Sequence, residues 1–275
     1  EIAIFDLKSQ IKNVPLYKYL NKSFRKSISG YASGGSVVCN NNDIYKDFLM
    51  SKKIGLEKYK LRIGYQSFKM DLKRINYALQ LFGRKNVMVD AIMGTLNKWE
   101  KNQFIKKLAI FNRLDLKWIE EPLHPSKTFD YKEITKKSVN PIALGEAFTS
   151  YEEFKILILN NCCDIIQPDV TQCGILDTIK ICKLAKKYKK KISLHVWGSS
   201  LSFLVNLHFA LAFKEVDIIE YPLVNMDILK NIVSNNYKTK KNKIYISSNM
   251  SGIGIYLKKN YFNQFKFIKK SGFSI

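Results

Sequence analysis

Residues 87–91 read VMVDA, residues 118–123 WIEEPL and residues 143–148 ALGEAF. Each is a short apolar run that delivers a carboxylate, Asp90, Glu120 or Glu146, at intervals of 30 and 26 residues. Runs of this kind suit strands buried on both faces. The stretches between them, with Phe104, Leu108, Ile110 and Phe111 at helical spacing and lysines on the other faces, suit outer helices. The same alternation continues outward in both directions. Strands are predicted at Ser27–Ala32, Tyr59–Ile63, Asn86–Asp90, Leu116–Glu120, Ile142–Gly145, Cys163–Gln167, Ile192–His195 and Val216–Glu220. Eight such strands predict an α/β protein, a TIM-like (β/α)7β or (β/α)8 barrel, over residues 1–225. Residues 226–275 read differently, as extended segments around the small-residue turn Ser251–Gly254, and are expected to form a C-terminal appendage.

Composition narrows the function classes. The 275 residues carry 46 Lys+Arg against 23 Asp+Glu, a net charge of +23. The lysines are scattered over nearly every helical stretch, without the aromatic interleaving of a nucleic-acid groove, so no nucleic-acid partner is expected. No apolar run approaches the roughly 18 residues of a membrane span. The five cysteines are odd in number and form no C-x-x-C pair, which points to reduced thiols in a cytoplasmic protein. The chain opens at Glu1 inside the helical pattern EIAIFDLKSQI, and an N-terminal segment is expected to precede it.

In a β/α barrel, polar side chains that end successive strands converge on the C-terminal mouth. Arg62 is followed by Asp90 after 28 residues, Glu120 after 30, Glu146 after 26, Asp169 after 23, His195 after 26 and Glu220 after 25. Taken singly, each is an N-cap or a solvated loop charge. As a series they place Asp90, Glu120 and Glu146 close together, where only a cation relieves their repulsion. All-oxygen ligation favours Mg²⁺. Asp169 and His195 end adjacent strands, so the carboxylate orients the imidazole and raises its basicity, making His195 a general base. A cation on a substrate carboxylate makes the neighbouring C–H acidic enough for imidazole. Glu220, if protonated, hydrogen-bonds the other side of that carboxylate. Lys60 and Arg62, alternate residues of KLRIGY, add positive charge. His124 and His208 read as structural.

VMVDA, WIEEPL, ALGEAF, IIQPDVTQCGI and LHVWGSS, in that order, resemble the mandelate racemase subgroup of the enolase superfamily. The opening EIAIFDLKSQIKNVPLYKYL resembles the helix leading into that family's barrel, and SGIGIYL its closing segment. The resemblance implies metal ligation by Asp90, Glu120 and Glu146, a His195–Asp169 dyad as base, and Glu220 as an electrophile beside the substrate carboxylate. It makes Glu120 the ligand of WIEEPL and leaves Glu121 a supporting residue. It also implies a capping domain absent from this chain, and a homo-oligomer. Two departures stand out: Ile92 replaces the family's common Asn, and Lys60-x-Arg62 replaces Lys-x-Lys. Arginine stays protonated, so two-base racemisation is disfavoured. The expected activity is that of a hydro-lyase of carbohydrate catabolism, an acid-sugar dehydratase giving a 2-keto-3-deoxy acid. The alternatives are a racemase or epimerase of a 2-hydroxy acid, and a catalytically silent basic barrel acting as a scaffold.

Overall fold

The computed structural model describes residues 1–94, 99–223 and 236–255. Its frame is a closed barrel of eight parallel strands: β1 (Ser27–Gly34), β2 (Tyr59–Arg62), β3 (Val87–Asp90), β4 (Trp118–Glu120), β5 (Ile142–Leu144), β6 (Ile165–Ile166), β7 (Lys191–Leu194) and β8 (Ile218–Pro222). Each strand pairs with the next, and β8 returns to β1, Tyr31 opposite Glu220. All eight predicted strands are present. β6 is shortest because Pro168 follows it and the Asp164 side chain, not the strand backbone, takes the Ile142 amide at 2.9 Å.

Seven strand-to-strand connections are helical among the described residues. They run through α3 (Asn41–Ile54), α4 (Phe68–Phe82), α5 (Lys101–Phe111), α6 (Thr128–Lys137), α7 (Tyr151–Leu159), the pair α8 (Val170–Cys173) and α9 (Ile175–Lys187), and α10 (Ser200–Ala212). Local capping chemistry starts them: Asn40 and Asp43 close a capping box on α3, as do Ser150 and Glu153 on α7. Two further helices, α1 (Ile2–Ile11) and α2 (Leu16–Leu20), precede the barrel. The hairpin β9 (Tyr237–Lys240) and β10 (Lys243–Ile246) adds to the start of β1, antiparallel, with Ser27 opposite Tyr245. Of the expected C-terminal appendage, residues 226–235 and 256–275 lie outside the described residues.

The main core fills the space between strands and helices, and a second apolar layer of Tyr31, Met88, Trp118, Ala143, Ile165 and Ile218 fills the barrel itself. That inner layer is a dry floor under the C-terminal mouth, and it strengthens every electrostatic interaction above it. All five cysteines are buried free thiols, and no described helix is long and apolar enough to cross a membrane.

His208, on α10, is structural as expected. Its Nδ1 accepts the Tyr17 amide at 3.1 Å and its Nε2 donates to the Ile253 carbonyl at 3.2 Å, which fixes a neutral tautomer. Burial pushes its pKa down to about 4. The unfolded chain takes up this proton near pH 6.5 and the folded chain near 4, so the stabilisation is complete above pH 6.5 and lost as pH falls toward 4. We expect roughly 2–3 kcal/mol of acid destabilisation between pH 7.5 and 4.5 from this group. Urea denaturation of wild type and His208→Gln at both pH values checks it: the difference between them should shrink in acid.

Candidate metal and acid–base site

The strand ends bring all eight predicted site residues to one mouth. Register does much of the work: Arg62 pairs with Asp90 across β2 and β3, and Asp90 with Glu120 across β3 and β4. Glu146 follows Gly145, whose φ of +138° and whose closeness to Phe154 and the Gln167 amide leave no room for a side chain. Oxygens of Asp90, Glu120 and Glu146 lie within 4.8 Å of one another.

Lys60 is buried among the carboxylates. Its Nζ lies 2.5 Å from Glu120, 3.0 Å from Glu220 and 3.4 Å from Asp90. The other oxygen of Glu120 accepts the Trp118 indole N–H at 2.9 Å, and Asp90 Oδ1 accepts the Ile92 amide at 2.8 Å. Burial and the charges of Asp90, Glu220 and Glu146 outweigh the pull of Lys60 and raise Glu120 to about 7. Burial also opposes ionisation of Glu220, but Lys60, His195 and Arg62 overcome it and hold that carboxyl down, to about 2. Glu220 Oε2 accepts the Val196 amide at 3.1 Å. These cationic neighbours favour the anion of Glu220, the form that accepts hydrogen bonds.

Across the mouth, His195 Nδ1 and Asp169 Oδ2 are 3.1 Å apart, and His195 Nε2 faces Glu146 at 3.5 Å. Burial opposes the imidazolium, yet the Asp169 bond and the charges of Glu220 and Glu146 raise His195 to about 9. Asp169 is held in turn. Its Oδ1 accepts from Asn206 Nδ2 at 2.8 Å and from Thr171 Oγ1 at 2.7 Å, which leaves Oδ2 for the imidazole. Asn206 and Thr171 are supports that sequence reasoning missed. The available signal was Asn206 in FLVNLHFALA, where it and His208 are the two polar residues.

Arg62 donates to the Gly34 carbonyl at 2.9 Å, and its guanidinium lies 4.8 Å from the Trp197 ring centre. Trp197 is a third missed contributor. Glu121 is buried with φ +41°, accepts the Gly145 amide at 3.1 Å through Oε1, and leaves Oε2 without a partner among the described residues. It is not one of the three clustered carboxylates. His124 caps the short turn at Pro125–Lys127 and lies outside the site.

Strain follows Asp90 directly, since Ile92 and Met93 both hold left-handed backbone, φ +49° and +58°. For a β-branched residue this conformation costs about 1–3 kcal/mol, whereas Asn tolerates it. Ile92→Asn is accordingly expected to raise stability by about 1 kcal/mol, read as a higher denaturation midpoint with an unchanged slope. An unchanged or lowered midpoint would show that the isoleucine's packing outweighs the strain.

The charge balance decides what the mouth accepts. With Glu120 ionised, the five carboxylates Asp90, Glu120, Glu146, Asp169 and Glu220 face Lys60, Arg62 and the imidazolium of His195, an excess of two negative charges. An all-oxygen donor set with that excess fits one hard divalent cation.

A closed eight-stranded parallel barrel with carboxylates clustered at its C-terminal mouth has the architecture of an enolase C-terminal domain. The chain belongs to the Enolase C-terminal domain-like family, whose profile matches residues 48–261. It is 28% identical to an L-talarate/galactarate dehydratase of Salmonella typhimurium over 260 residues, covering 94% of this chain and 62% of that relative. An arabinonate dehydratase of Saccharolobus solfataricus is 26% identical, with 97% of this chain and 70% of the relative covered. Among solved structures, the Salmonella typhimurium dehydratase liganded with Mg and L-lyxarohydroxamate superposes with a TM-score of 0.82 at 27% identity, over 94% of this chain and 63% of that one. The chain thus spans under two thirds of the length of the dehydratase it matches over 260 residues.

Proposed function

We propose that this barrel removes the proton next to the carboxylate of a sugar acid and expels the β-hydroxyl, a Mg²⁺-dependent dehydration to a 2-keto-3-deoxy acid. The observation that carries it is the placement of three oxygen donors within 4.8 Å of one another, facing an imidazole that a buried carboxylate orients. Asp90, Glu120 and Glu146 would hold Mg²⁺, which when bound draws charge from the substrate carboxylate and acidifies the α-carbon.

The chain's own groups supply the rest. Neutral His195 Nε2 takes the α-proton, and Asp169 stabilises the imidazolium that results. His195 then returns that proton to the departing β-hydroxyl as water, so one base serves both halves of the reaction. Glu220, an anion bound to Lys60, keeps the lysine aimed across the mouth, and Lys60 and Arg62 offset the charge of an anionic substrate. The relatives named for sugar-acid dehydration support this class, and Arg62 at the second basic position of β2 speaks against a two-base racemase. A small anionic sugar acid as partner and a cytoplasmic location belong to the same proposal.

The test combines Mg²⁺ titration with a sugar-acid panel. Mg²⁺ should raise the melting temperature in a saturable way, and Glu146→Gln should weaken that response at least tenfold. A semicarbazide assay should detect 2-keto acid from at least one aldonate or aldarate, and chelation should abolish it. Exchange of the α-proton in D₂O without keto acid would instead establish an epimerase.

A further inference from the structure

We propose that the opposite, N-terminal mouth of the barrel binds a small dianion of the phosphate class. A cavity of about 240 Å³ opens there, lined among others by Ser29, Lys58, Lys117, Lys191, Ser193 and Asp217. Lys243 of the hairpin reaches the same rim and donates to Ser29 Oγ at 3.0 Å. Four ammonium groups therefore surround one concave mouth.

Their acid partners are scarce. Lys58, Lys117 and Lys191 form no ion pair among the described residues, whereas lysines on the helices find them, as Lys101 does with Asp130 at 3.2 Å and Glu133 at 3.1 Å. Asp217 is the only carboxylate in the lining, and its Oδ2 already accepts the Ile192 amide at 2.8 Å. Glu57, the acid beside Lys58, accepts from the Asn242 side chain. Lys58 and Lys117 are the only described lysines whose pKa is displaced downward, by burial first and then by neighbouring lysines.

The lining also includes Ser29, whose Oγ accepts from Lys243 and keeps its own proton to donate to a ligand oxygen. A tetrahedral dianion offers oxygens to both the ammonium groups and the serine hydroxyls, and lysines bind it as mobile point charges. The cavity has room for one or two phosphoryl groups and not for a polymer. This site lies at the far end of the barrel from the carboxylates and does not depend on the dehydration proposal.

Calorimetric titration of the full chain with inorganic phosphate and with pyrophosphate, at constant ionic strength, tests it. The comparison is between wild type, Lys58→Gln/Lys117→Gln, and the charge-matched control Lys106→Gln/Lys136→Gln on exposed helix faces. We expect saturable one-site binding in wild type and control, at least tenfold weaker in the Lys58/Lys117 pair. That pair should also melt higher than wild type in phosphate-free buffer, because its removal relieves repulsion. Absence of saturable binding overturns the proposal, as does equal weakening in the control, which would reflect net charge alone. Unchanged affinity in the Lys58/Lys117 pair also overturns it, placing the anion elsewhere.

Discussion

Lys60→Met is expected to cost about 3–5 kcal/mol of stability at pH 8 without divalent cation, the range for removing one partner of a buried ion pair. The lysine is 1% exposed and is the nearest cation to Glu120 and Glu220, both fully buried. Methionine matches its length but returns no charge, so the variant keeps Glu120, Glu220 and Asp90 facing one another across a dry floor. The sign of the pH dependence follows from Glu120. Its folded pKa, about 7, lies above its ordinary value of 4.5, so it favours the folded state in acid and loses that contribution as pH rises through the folded value. Loss of Lys60 moves the folded value higher still. The penalty should therefore be small near pH 5, where Glu120 can be neutral, and large by pH 8. Mg²⁺ should recover part of it, and by more than it stabilises wild type, if Asp90, Glu120 and Glu146 ligate the ion. Guanidinium titrations at pH 5 and 8, with and without Mg²⁺, decide the matter. Equal midpoints for variant and wild type at pH 8 without Mg²⁺ would mean that Lys60 is not the principal counter-charge of this cluster.

Much of this site was legible because a barrel converts chain spacing into height. Intervals of 28 and 30 residues separate Arg62, Asp90 and Glu120, and the strands bring those residues into direct register. What spacing does not encode is the path of a side chain once it enters the mouth. Lys60 and Arg62 alternate on one strand, yet Lys60 sinks among the carboxylates while Arg62 turns toward Gly34 and Trp197. Asn206 escaped notice for a related reason. α10 is buried on nearly all sides, covered in part by α2 and α8, so its sequence is mostly apolar and its polar residues Ser200, Ser202, Asn206 and His208 mark no solvent face. The protonation of Glu220 is likewise not written in its residue type: Lys60, His195 and Arg62 together favour its anion.

Replacing His195 with asparagine should lower both α-proton exchange and keto-acid formation by about 10³-fold, within the range for loss of a general base. Folding and the Mg²⁺-dependent rise in melting temperature should survive, because the three carboxylates remain. Loss of both activities together places His195 at the removal of the α-proton, the step that exchange and dehydration share. The pH profile gives an independent reading. The base acts only when neutral, and with His195 raised to about 9 the rate should climb with pH through an ionisation above the ordinary imidazole value. A bound divalent cation neutralises Glu146 and its neighbours and draws that ionisation down, so it should lie lower at saturating Mg²⁺. Asp169→Asn removes the hydrogen-bonded charge responsible for much of the elevation. It should shift the limb toward acid and still reduce the maximal rate, because the imidazolium formed in the transition state loses its partner. A rate that falls while the limb stays fixed would confine Asp169 to holding the loop, and exchange persisting within tenfold in His195→Asn would assign the proton to another base.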